Sequence, residues 1–229
     1  MSKSNKFGYS GVDIPTQEAF DNVGKFDPSE INELVQEDKW TTFGQLELIQ
    51  TEVSSSNATA IEFTNLKEDE YTTHMFVFNN IESNNAGQIS FNVYTDQYGY
   101  DTNAHYSTHT QRCFSTGSFS EWRQHNSAYN YVSGTPLSGE SDQAMNGYML
   151  MYHAGDTTNY TEFNTHIIGA HSTSIYSYSE FGGITYNKYG YAITKLKFKI
   201  GGGTTQFTDG STISLYGIKG YWWLLIYSL

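Results

Sequence analysis

From residue 43 onward, short segments alternate apolar and polar residues at every second position, and a chain with that period folds into strands and little else. In Gln88-Ile89-Ser90-Phe91-Asn92-Val93 the alternation sends Ile89, Phe91 and Val93 to one face. Lys195-Leu196-Lys197-Phe198-Lys199-Ile200 repeats it with lysines outward, a device that also discourages edge pairing. Thr73-His74-Met75-Phe76-Val77-Phe78 is apolar on both faces and predicts a central strand between two covered surfaces. Further strands are predicted over 45–53, 59–65, 104–114, 128–133, 146–153, 161–169, 173–179 and 211–218. The turns between them carry Asn84-Asn85-Ala86-Gly87, Ser133-Gly134-Thr135-Pro136, Gly182-Gly183, Gly201-Gly202-Gly203 and Thr208-Asp209-Gly210. Roughly ten short strands, no solenoid repeat and almost no helix predict an all-β, jelly-roll-like β-sandwich over residues 41–220. A domain of about 180 residues can bury an adequate core without disulfide or metal staples.

Residues 1–40 follow a different pattern. Gly8, Gly11, Pro15, Gly24 and Pro28 punctuate them, and Phe7, Tyr9, Ile14, Phe20, Val23 and Phe26 fall without period. Such a segment cannot make its own core, so it reads as an extended docking arm that lies on a partner. Within it, Asp27-Pro28-Ser29-Glu30 supplies an N-cap, a proline at the first helical position and an acid at the third. Ile31, Leu34 and Val35 follow at helical spacing, predicting one short helix over 28–38 with a solvated acidic face. At the other end, residues 221–229 form an apolar tail, in which Trp222, Trp223 and Leu225 are expected to join the arm residues Phe7, Tyr9, Ile14, Phe20 and Phe26 in assembly contacts.

Charge narrows the partners. The net charge is −12, and residues 1–70 hold 14 acidic against 5 basic side chains, a balance of −9. With no basic stripe, nucleic acid and anionic membrane would be repelled. The tail is too short to span a bilayer as a helix. The single cysteine, Cys113, excludes an internal disulfide and suits folding in a reducing cytoplasm, and the first residues lack the apolar run of a signal peptide.

The segment Phe207-Thr208-Asp209-Gly210-Ser211-Thr212-Ile213-Ser214-Leu215-Tyr216-Gly217-Ile218-Lys219 resembles a closing-strand motif of marine tailed-phage virion proteins. Ile193-Thr194-Lys195-Leu196-Lys197-Phe198 resembles the strand before it, and Trp40 to Thr51 with Ile61 to Leu66 resembles the opening strands. The likeness spans roughly residues 40–219, although this chain continues ten residues beyond the Gly-Ile-Lys. It implies a virion component with a lectin-like sandwich, made in the host cytoplasm, and no catalytic residues. Physically, the motif places Ile213 and Leu215 inward, while Gly217 leaves room for a close backbone approach.

Few residues suggest catalysis. His105, His109 and Cys113 would share one strand face, but residues four apart on a strand are about 13 Å apart, too far for a common ion or a hydrogen bond. His74, His153, His166 and His171 sit in apolar strand contexts and read as core or interface histidines. A glycosidase needs two carboxyls across a cleft, and Asp96, Asp101, Glu121 and Asp156 offer no pairing by sequence. No cofactor or metal is expected. The region that best suits a ligand is aromatic: Tyr98, Tyr100, Tyr106, Trp122, Arg123 and Tyr129 are candidates for a glycan, whose apolar faces pack on rings while polar neighbours bond its hydroxyls. The same rings suit the sandwich core and subunit contacts, and that reading comes first. The expectation is therefore a non-enzymatic virion structural protein, a capsid decoration, collar or tail component assembling as a homotrimer or other symmetric oligomer with other virion proteins. The alternatives are a receptor-binding fibre or knob that recognises host surface glycan and, further off, a polysaccharide depolymerase.

Overall fold

The computed structural model describes residues 46–55, 58–140, 143–171 and 176–218. The arm 1–40 with its helix, the tail 221–229 and the assembly residues named within them lie outside the described residues.

The described residues form thirteen strands in chain order. These are β1 (Leu46–Val53), β2 (Ala60–Phe63), β3 (Thr73–Ile81), β4 (Ile89–Thr95) and β5 (Gly99–Tyr100). Then come β6 (Tyr106–Phe114), β7 (Phe119–Ser127), β8 (Asn130–Tyr131) and β9 (Met145–Tyr152). The last four are β10 (Thr161–His171), β11 (Tyr176–Tyr186), β12 (Lys195–Ile200) and β13 (Thr212–Ile218). An eight-stranded antiparallel sheet runs β1-β13-β3-β9-β10-β11-β6-β7, and a second sheet runs β2-β12-β4-β5, with β8 also paired to β4. The strands β1, β2, β3, β4, β8, β9, β12 and β13 alternate between the two sheets except at β4 and β8, which neighbour each other in the small one, and this is the path of a jelly roll. Two insertions, one carrying β6 and β7 and the other β10 and β11, pair with each other through β6 and β11 and lengthen the large sheet.

Alternation builds the core. Ile89, Phe91 and Val93 on β4, Leu196, Phe198 and Ile200 on β12, and Ile213 and Leu215 on β13 are all fully buried. Phe198 is a hub between the sheets, with ring centroids 5.4 Å from Phe76, 5.3 Å from Phe78, 6.2 Å from Phe63 and 6.0 Å from Phe91, mostly edge to face, as aromatic quadrupoles prefer. Gly217 does accept a close approach: a Cβ there would lie 2.4 Å from the Tyr71 ring, whose hydroxyl donates to Glu47.

The strand pattern departs from the sequence expectation in three places. β12 is interior rather than an edge, and its lysines are occupied: Lys197 pairs with Glu62 and lies over the Tyr100 ring at 3.9 Å, while Lys195 lies over Tyr94 at 4.4 Å. β7 falls where no strand was expected; Phe-Ser-Glu-Trp-Arg-Gln-His-Asn-Ser is polar on both sides, and pairing with β6 organises it. Gly182-Gly183 is no turn but the middle of β11, where both residues pair with β6 and β10. A side chain at Gly182 would strike the His109 carbonyl oxygen at 2.4 Å, so glycine serves close strand packing there.

Candidate functional site

The extension has two faces with different chemistry. Inward, the apolar core reaches Phe163 and Ile167 on β10, Ile184 and Tyr186 on β11, and Tyr106 on β6. Beyond them the interior turns polar. The buried Glu180 carboxyl accepts hydrogen bonds from Ser133 Oγ (2.7 Å), Gly134 N (2.6 Å), Thr135 N (3.2 Å) and Thr135 Oγ1 (3.1 Å). This fastens residues 133–135 over the inner side of β6, β7 and β11. A second buried acid, Asp101, accepts from Asn103 N and Nδ2 at 2.8 Å each, from the Tyr186 hydroxyl at 2.7 Å, and meets His105 Nδ1 at 2.6 Å. Desolvation raises the Asp101 pKa, but these bonds to its charged form outweigh that and hold it below the usual carboxylate value. Both acids are consumed in holding loops.

Outward, two adjacent cross-strand rows define a half-open depression of about 540 Å³. One row is Asn164, Gly183, His109 and Arg123, on β10, β11, β6 and β7 in turn. The next contains Phe181, Gln111 and Glu121. The His109 ring leans across β11 into the place a side chain at 183 would take: a Cβ there would stand 2.8 Å from it. Phe181 is 49% exposed, a ring presented to solvent at the rim. Gln111 Nε2 donates to Glu121 at 3.4 Å, and the lining carries one acid, Glu121, and one guanidinium, Arg123. A volume of this size, one aromatic wall and converging amide, imidazole and guanidinium groups match what small-ligand sites present. Glu121 is the only carboxyl among the lining residues, whereas glycoside hydrolysis ordinarily calls for two. Among the described residues no three His, Cys, Asp or Glu side chains converge as a metal site.

The structure does not bring the sequence-derived candidates together. Tyr106 is fully buried, its hydroxyl donating to the Asp101 carbonyl at 3.1 Å, so it offers a ligand no surface. Trp122 and Arg123 both border the depression, but the Trp122 ring packs inward against Tyr131 (5.3 Å) and Gly134. Tyr98 and Tyr100 lie at the β4–β5 edge of the small sheet; Tyr98 meets Tyr191 and His105, and Tyr100 donates to Glu62. Burial, then Glu62, pushes the Tyr100 hydroxyl up to about 12. Tyr129 stands in the turn between β7 and β8. Of the histidines, His74 is a core residue as expected, whereas His153 and His166 are exposed. Asn164, Gly183 and Phe181 were missed. The alternation of β10 could have placed Asn164 outward, but Phe181 becomes visible only once the strand is carried through the glycine pair.

No family model, no curated protein and no solved structure matches this chain.

Proposed function

We propose that this chain is a non-catalytic carbohydrate-recognition protein of a phage-like particle, with the outer-face depression of the extension as its sugar seat. The observation that carries this reading is the missing side chain at Gly183, walled by the exposed Phe181 ring and fringed by Asn164, His109, Gln111, Glu121 and Arg123. A sugar presents an apolar C–H face and a ring of hydroxyls, and this seat offers an aromatic plane with donors and acceptors around it. Its balanced charge favours an uncharged ligand. The resemblance of residues 207–219 to virion proteins supports the particle setting.

The test is a glycan array followed by calorimetry on the best ligand. Phe181→Ala should weaken binding about tenfold with the thermal midpoint unchanged. Gly183→Ala, which must displace the His109 ring, should weaken it as well. Unaltered affinity in both variants would remove the seat from recognition.

A second reading, a self-assembling structural subunit, is favoured by β1. This strand ends the large sheet and exposes Leu46, Leu48 and Val53 by 51%, 60% and 60%. An apolar row on an end strand invites a second copy. Leu48→Lys should then lower the oligomeric mass measured by light scattering, and an unchanged mass would dismiss β1 as the contact.

A further inference from the structure

The alternation that places Asn164 in the depression continues along β10 toward its start. Residues 160, 162, 164, 166 and 168 are exposed while 161, 163, 165 and 167 are buried. Tyr160 therefore stands on the depression's side of the sheet, four residues from Asn164, or roughly 13 Å at about 3.3 Å per residue. There it meets Tyr189 edge to face, with centroids 5.7 Å apart and exposures of 46% and 62%. The loops that carry the pair are tied to each other and within themselves. Gly190 N donates to the Thr157 carbonyl at 2.8 Å, and the Asp156 carboxyl accepts from Thr158 N and Oγ1 and from Asn159 N and Nδ2.

Between depression and pair the surface is polar. Glu162, Thr185 and Ser107 form the intervening row, and Ser107 Oγ accepts from Asn187 Nδ2 at 3.1 Å and meets His125 Nδ1 at 3.0 Å. Glu162 is flanked in register by Tyr152 and Thr185, so its charge has no cation across the strand. An anionic chain would be repelled there.

We infer that the ligand is an extended, uncharged oligosaccharide running along β10, with the Tyr160–Tyr189 pair as a second stacking subsite. This deepens, and rests on, the sugar-seat reading. A monosaccharide fills only the depression. A chain long enough to cover the polar row reaches both aromatic stations, and the second contact then acts at high effective concentration.

The experiment uses the full chain and neutral gluco-, galacto- and manno-oligosaccharides of one to six units, with a uronic-acid series as the charged control, titrated by calorimetry. In the series that binds, affinity should climb with length and level off once the chain spans both stations. Tyr160→Ala and Tyr189→Ala should each weaken the longest chain about five- to tenfold and leave the monosaccharide unaltered, while Phe181→Ala weakens both. The uronic-acid series should bind more weakly and recover with Glu162→Gln. Affinity independent of length, or a longest chain insensitive to both tyrosine variants while Phe181→Ala still matters, would overturn the track and keep the seat. Absence of binding by every series at millimolar concentration would overturn the seat and the track with it.

Discussion

The jelly-roll strands and the inserted extension share one sheet yet are filled by opposite kinds of interior. Between the two sheets, Phe198 sits among Phe63, Phe76, Phe78 and Phe91. Under the extension the filling is Thr108, Thr110, Thr165 and the Glu180 carboxyl, all buried. Apolar burial is strong and non-directional; a polar interior adds less net stability and fixes positions only where it is bonded, as the Glu180 carboxyl is and the Thr110 and Thr165 hydroxyls, buried without a partner among the described residues, are not. A sheet anchored by the first and aligned by the second can hold a ligand row on its other face without spending core residues on it.

The largest expected effect lies in the ring cluster. Phe198→Ala should cost about 3–5 kcal/mol in chemical denaturation and lower both sheets together; a loss below about 1 kcal/mol would show that the rings do not join them. Next comes His74 in the core. Its Nε2–H donates to the Leu66 carbonyl at 2.8 Å, while Nδ1 is buried without a partner among the described residues, so a proton added there would find no acceptor, and burial lowers the pKa from 6.5 to about 4. The depressed value means stability present in full above pH 6.5 and lost as pH falls through 4, by about 3 kcal/mol in all. His74→Met should flatten the fall between pH 7 and 4; an unchanged profile would locate the titration elsewhere. Asp101, at the margin of the extension, acts in a lower window, since its depressed pKa costs stability only as pH drops below the ordinary 3.8.

Glu180→Ala comes third. It strands the Gly134 N–H, leaves the Thr135 N–H only its 3.1 Å bond to Ser133 Oγ, and should cost about 2 kcal/mol. Hydrogen exchange should rise at 133–135 and mid-β11 but not around Phe76 and Phe198; equal exchange throughout would mean core and extension are one cooperative unit. Phe181→Ala should be smallest, within about 0.5 kcal/mol in stability, because its ring serves the outer face.

The strands whose two faces differ were legible as sequence. Ile89-Ser90-Phe91-Asn92-Val93, Lys195 to Ile200 and Thr212 to Ile218 each meet a core on one side and declare it by period. β7 was not legible because its inner residues, Trp122 and Gln124 among them, meet a polar filling and carry no apolar stripe. The glycine pair of β11 misled because its reason, the leaning His109 ring and the close β6 backbone, lies some 70 residues away. The same separation hid the depression, assembled from four strands of two insertions. Tyr106 shows the converse. Its neighbours Thr108 and Thr110 share its inward face, but threonine does not announce burial, so a core tyrosine stood among the ligand candidates.

The path of β13 bears on how the chain is made. It lies between β1 and β3, and its Ser214 meets Thr51 across 163 residues of chain. A ribosome emitting this protein releases β1 and β3 early and their shared neighbour late. Throughout that interval β1 lacks its only described partner, and β3 shows an open edge bearing Phe76 and Phe78. Nascent chains are thus exposed to strand exchange with one another until the Ile213–Leu215 segment emerges, and elongation speed, not only final stability, governs how much of the product folds soundly.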